Sequence, residues 1–149
     1  MRSAAILAPM GTPAVLPVLA ALLLPFDPAE LQMPLDWTRE REPPYPNLVA
    51  SFRHRTDATL TVGRQFLAAG EDGESFARDN AQALLRMGFR VRREGNALHG
   101  TSRNGRWAVR QIYLVRGTLG WAITLAGTPS QIRALRRDLG ALLAQIEGN

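Results

Sequence analysis

An α+β fold is what this sequence predicts: an antiparallel β-sheet carrying two packed helices, in the order β-β-α-β-β-β-β-α. Short segments alternate apolar and polar residues and are separated by Gly- and Asn-containing turn signals, as antiparallel strands are. Two longer segments repeat apolar residues at helical spacing and carry cap residues at their ends. One strand, residues 107–116, is largely apolar at the centre of both faces, which places it inside a sheet covered on both sides.

Taken in order, residues 39–47 (REREPPYPN) form a charged connector. Pro43, Pro44 and Pro46 exclude helix and central strand there, so a loop or extended segment is expected. Leu48–His54 alternates and leads to a turn near Thr56 and Asp57. Residues 58–67 alternate again, with Leu60, Val62 and Phe66 on one face, and the two segments pair antiparallel. Residues 70–73 turn the chain into a helix that Asp72 caps and Gly88 ends. Along it Phe76, Ala77, Ala81, Leu84 and Leu85 are expected to face the sheet, and Arg78, Asp79, Gln82 and Arg86 to face water.

A four-strand meander follows: FRVRRE, ALHGTS, WAVRQIYLVR and WAITLA, joined by GN, NG and GTLG turns. Asn104-Gly105 is a hairpin signal of the type I′ kind, which needs positive φ at both central positions. The closing helix has the clearest signals in the chain. Thr128 caps it, Pro129 takes the first helical position and Gln131 completes a capping box. Ile132, Leu135, Leu139, Leu142, Leu143 and Ile146 form one continuous stripe, and Gly148 is placed to stop it.

The length of 149 residues suits one domain, and 46% hydrophobic with 21% charged residues is the composition of a globular protein. With no cysteine there are no disulfides, thiolate metal sites or cysteine nucleophiles. All 18 basic residues are arginine, so the net charge of +5 holds at any physiological pH. These arginines are dispersed among 13 acids, and nucleic acid is not the expected partner.

Residues 1–32 differ from the rest. One arginine precedes an uncharged run that lasts until Asp27, in the shape of a secretory signal with its apolar part around residues 14–24. Pro9, Pro13, Pro17 and Pro25 interrupt the helix that a signal or a membrane span requires. Three readings stay open: an apolar leader directing the chain to the envelope, a true start at Met33 and a cytoplasmic protein, or a disordered apolar arm. Residues 33–149 are expected to form the single domain, and membrane contact is expected only through residues 1–32.

Catalytic chemistry has few candidates. His54 and His99 lie far apart in sequence without an accompanying carboxylate pattern, and a zinc site needs three or four ligands. Glu71, Asp72 and Glu74 cluster at a helix start, where the helix dipole favours acids. Neither GEDG nor GTLG matches a phosphate-binding or dinucleotide-binding loop. No catalytic residue, metal site or cofactor is therefore expected. The polar candidates are Arg90 and Arg92 on one face of a strand, and Arg110 and Arg116 on one face of another. Two readings stand for them: a solvated face whose aliphatic stems cover the sheet or, were these strands neighbours, a guanidinium stripe that grips an anionic partner in bidentate fashion. Trp107 and Trp121 are expected in or at the rim of the core. Trp37 is expected there too, and of the three it is the candidate for partial exposure and partner binding, because it stands beside the Pro-rich connector.

In order and spacing, MPLDW (residues 33–37), MGF (87–89), RQIYL (110–114), WAITLAGTPSQ (121–131) and the final helix resemble the PsbP-like/DcrB-like α/β/α sandwich group over about residues 33–147. The resemblance implies a non-enzymatic accessory, adaptor or chaperone module, as in photosystem assembly, the bacterial envelope or loading of type VI secretion effectors. That group shares no single set of functional residues. Two departures stand out: there is no lipoprotein cysteine, and no long apolar groove is legible. The expectation is a binding module of the cell envelope acting on a protein partner, with a cytoplasmic effector chaperone as the alternative and a small hydrolase as a third reading.

Overall fold

The computed structural model describes residues 27–148 apart from residue 44. The expected leader therefore lies outside the described residues, except for residues 27–32. Those are part of the folded body. Asp27 caps a 3₁₀ turn, Pro28–Glu30, Leu31 is buried in the main core, and Gln32 and Gln145 exchange hydrogen bonds of 2.9 and 2.7 Å.

Seven strands form one antiparallel sheet: β1 (Trp37–Arg39), β2 (Leu48–His54), β3 (Thr59–Phe66), β4 (Arg90–Glu94), β5 (Ala97–Thr101), β6 (Ala108–Arg116) and β7 (Leu119–Gly127). Their spatial order is β1-β2-β3-β7-β6-β5-β4. The helices are α1 (Gly73–Arg86), α2 (Pro129–Ala134) and α3 (Arg136–Glu147). The α+β sandwich expected from the sequence is the fold observed, with β6 interior as its two apolar faces require.

Two details of the element order differ from expectation. Arg39 is not in the connector but ends the short edge strand β1. The last helix is two, because the chain turns at Leu135 (φ −102°, ψ 8°), whose carbonyl accepts from the N–H groups of both Asp138 and Leu139. The stripe survives the break: Ile132, Leu135, Leu139, Leu142 and Ile146 are all buried. Gly148 sits at φ −77°, so α3 ends without a left-handed glycine.

Both predicted capping devices form. Asp72 and Ser75 cap α1 reciprocally, and Thr128 and Gln131 do the same for α2. Gly88 (φ 91°) leaves α1 through the left-handed region, and Phe89 N–H closes back on Leu84 O. Around Asn104-Gly105 the turn is not type I′. Only Gly105 has positive φ, its N–H donates to Ser102 O, and Asn104 Oδ1 instead accepts from Ser102 Oγ and Arg106 N. A wider loop results, which leaves Trp107 outside β6 and 57% exposed rather than in the core. Phe66, at the last rung of β3, and Leu85, just beyond the sheet-facing arc of α1, are likewise exposed.

The helices cover opposite faces at opposite ends. α1 lays Phe76, Ala77, Ala81 and Leu84 on Leu98 and Tyr113, with Val91 and Val109 alongside, over the β4–β6 end. It approaches closely: a methyl group on Gly120 would meet Phe76 Cε2 at 2.7 Å and Leu67 Cδ1 at 2.6 Å. On the other face, α2 and α3 bury their stripe against Phe52, Leu60, Val62, Ile112, Trp121, Ile123 and Leu125, over β2, β3, β7 and β6. This offset leaves two quadrants of the sheet without a helix. One lies on the α3 face over β4 and β5, the other on the α1 face over β2 and β3.

Candidate functional site

The quadrant on the α3 face is basic. Register alone assembles it: Arg92 pairs with His99 across β4 and β5, and His99 pairs with Arg110 across β5 and β6. Directly opposed residues of antiparallel strands share a face, so Arg92, His99 and Arg110 form one row. Arg90 lies two residues along the same face of β4, and Arg136, the first residue of α3, adds its field to the row. Glu94 is the acid that acts on it.

The row has defined hydrogen-bond polarity. Arg110 Nη1 donates to His99 Nε2 at 2.5 Å. A guanidinium stays protonated in a protein, so Nε2 is the acceptor and the imidazole is neutral. Burial, then the positive fields of Arg110, Arg92 and Arg136, hold His99 below the ordinary histidine range against the opposing pull of Glu94. Among the described residues, no carboxylate comes within ion-pair distance of Arg90, Arg92, Arg110 or Arg136. Four guanidinium groups thus share one face with one glutamate. Such an array can take carboxylates or another anion by charge-assisted, forked hydrogen bonds.

The sequence-predicted residues divide accordingly. Arg90, Arg92 and Arg110 come together, although β4 and β6 are not neighbours: β5 lies between them and His99 fills the gap. Arg116 is separate, at the far end of β6 opposite Leu119, where its Nη2 donates to Glu147 O at 3.3 Å. Trp37 is not exposed. It is buried, its indole N–H donates to Asp138 Oδ2 at 2.8 Å, and its ring meets His54 edge-on at 4.9 Å. Trp37 is pinned between the sheet and α3 and offers no binding surface. His99 and Arg136 join the site without having been singled out for it. One signal for them is in the sequence: between Glu94 and Asp138 the chain holds seven arginines and no acid.

His54 is a structural residue. Its Nδ1 lies 2.7 Å from Thr56 Oγ1 and accepts from Thr56 N–H, which shapes the turn to β3. It stands four strand spacings from His99, roughly 19 Å across the sheet. Among the described residues no three His, Asp or Glu side chains converge on a metal position, and no helix is long and apolar enough to cross a membrane.

The second open quadrant is uncharged at its centre, with the paired Arg53 and Glu40 at its β2 side. Tyr113 OH donates to Gln111 Oε1 at 2.7 Å, and Gln111 Nε2 donates to Thr124 Oγ1 at 3.2 Å. With Thr61, Gln65 and Asn80 these groups line a shallow hollow of about 190 Å³, which adjoins a cleft of about 590 Å³ beneath α1. Burial pushes the Tyr113 phenol well above its ordinary range, so it stays a neutral donor.

No family model matches the chain, and no curated protein matches it in sequence. Similar solved structures include a protein of Bacteroides thetaiotaomicron, 10% identical with a TM-score of 0.41, in which the match covers 76% of this chain and 42% of that one. Another is the cyanobacterial PsbP of Synechocystis, 12% identical with a TM-score of 0.45, covering 75% of this chain and 81% of that one. This chain thus spans less than half of the Bacteroides protein. Likenesses this distant assign neither activity nor partner.

Proposed function

We propose that this protein is a non-enzymatic binding module of the cell envelope that holds an acidic partner protein against its basic sheet quadrant. The observation that carries this reading is the Arg92–His99–Arg110 row with Arg90 and Arg136 beside it, without ion-paired carboxylates. Exposed guanidinium groups of this kind add modestly to stability, but they pre-assemble a receptor for carboxylates. The uncharged run after Arg2 supports delivery to the envelope.

The alternative, a cytoplasmic chaperone beginning at Met33, fits less well. Such a start would remove Leu31 from the core and the Gln32–Gln145 pair. The open sheet surface on the α1 face also presents Thr61, Gln111 and Thr124, which suit an apolar client helix poorly.

Two readings in one strain test the proposal. Cell fractionation should find the chain outside the cytoplasm. Purified protein should bind a polyglutamate peptide, weakly at high salt and more tightly at low salt. Arg92→Glu should abolish most of that binding, whereas Arg78→Glu, an equal charge change on the exposed face of α1, should leave most of it. Equal losses in the two variants would reduce the interaction to net charge and overturn the basic quadrant as the binding surface.

A further inference from the structure

The basic quadrant runs out to a free sheet edge, and the two features together define how a partner would dock. β4 is the last strand in the sheet order, paired with β5 on one side and, among the described residues, with no strand on the other. Its outward N–H and C=O groups are available, and unpaired edge groups are a template for a further strand. The strand presents Arg90, Arg92 and Glu94 on the α3 face and Val91 and Arg93 on the α1 face. Arg93 is turned back on its own hairpin, donating to Gly95 O at 3.0 Å, which leaves Arg90 and Arg92 as the free cations of the edge.

Resting on the binding reading above, we infer that the partner supplies an extended acidic segment that adds to β4 as an eighth strand, with carboxylates at alternate positions facing Arg90 and Arg92. Charge selects this occupant. A second copy of the chain would bring an arginine-rich β4 against another, and like charges opposed across strands repel. An acidic strand would instead place successive same-face side chains about 6.6 Å apart, the repeat at which Arg90 and Arg92 recur. Arg110 and Arg136, behind β4 on that face, extend the positive field toward the same carboxylates. The arginines that would block self-pairing thus select a partner of opposite charge.

The other edge does not offer this. β1 has three residues, and the Arg39 guanidinium is held by Pro28 O at 2.8 Å and lies over the Phe52 ring.

The test uses the full chain and short synthetic peptides. A peptide alternating Glu and Thr should bind about tenfold more tightly than one of the same composition with Glu and Thr in separate blocks, a difference of about 1.4 kcal/mol. In an added strand, all residues whose side chains share a face direct their backbone groups to the same side. N-methylation of one alternate set of peptide amides should therefore abolish binding, and methylation of the other set should not. Both Arg90→Glu/Arg92→Glu and the milder Arg90→Gln/Arg92→Gln should lose the alternating peptide while keeping the thermal unfolding midpoint of the parent. If both methylated peptides bind like the parent, the backbone is not engaged, and strand addition fails while the basic receptor stands. If no acidic peptide binds, the receptor itself fails. If a short oligothymidine binds as tightly as the alternating peptide and resists displacement by it, the edge serves a nucleic acid and the acidic-strand assignment is overturned.

Discussion

The two edges of the sheet solve the same problem in opposite ways. At β1 the polar groups find partners within the chain. Arg39 is tied to the 3₁₀ turn, Arg53 pairs with Glu40 at 3.6 Å, Arg55 pairs with Asp36 at 3.3 Å, and Trp37 reaches Asp138 on α3. At β4, Arg90 and Arg92 have no carboxylate within reach among the described residues, and the nearest partner of the row behind them is a neutral histidine. Both edges are rich in arginine, so composition does not separate them. What separates them is whether the acids of the chain fall within reach. A closed edge adds to the folding free energy, whereas an open one leaves its charges for something else.

Trp37→Ala should break the closed edge most severely. Removing a buried indole that packs on His54 and bonds to α3 should cost about 3–5 kcal/mol, read by chemical denaturation. Asp138→Ala keeps the indole but strands its N–H, and the expected loss is about 1–3 kcal/mol by the same measurement. A smaller effect at the open edge should depend on pH. His99 is held below its ordinary value of 6.5, so its contribution to stability is complete above that pH. It should be lost as pH falls through the depressed native value, because the unfolded chain then binds the proton first. Melting midpoints across mildly acidic pH should therefore decline in the parent and decline less in His99→Gln. The smallest effect on stability is expected for Arg92→Ala, within about 0.5 kcal/mol, although acidic-peptide binding should drop sharply. A stability loss for Arg92→Ala as large as that for Asp138→Ala would erase the distinction between the edges.

Most of the fold was legible because its signals are local. The capping residues Asp72 and Thr128, the apolar stripes and the alternation of β6 each report on a few neighbouring residues; both caps formed, and the stripes pack into the core apart from Leu85 and in spite of the break at Leu135. What local pattern left open was decided either by a distant element or by the width of a turn. Trp37 is buried because α3 supplies Asp138, a contact across a sequence gap that no local pattern reports. Trp107 is exposed because its loop is wider than the Asn-Gly signal suggests. The candidate site was half readable. A two-residue turn at Gly95-Asn96 sets Arg92 opposite His99. The step from His99 to Arg110 depends on the loop at residues 102–107, whose register no dipeptide fixes, and Arg136 arrives only through the docking of α3.

The place of β7 has a consequence for how the chain acquires its shape. β1, β2 and β3 form one three-stranded half, β4, β5 and β6 form the other, and β7 alone joins them, with Leu60 opposite Leu125 on one side and Ile112 opposite Ile123 on the other. Pairings so distant in sequence raise the contact order and slow the search for the native state. During synthesis the early hairpin must wait, with the edge of β3 bare, until residues 119–127 have left the ribosome. A nascent chain stopped before Leu119 is therefore two unjoined sheets rather than a shorter version of one, each exposing an edge that could pair with the wrong strand.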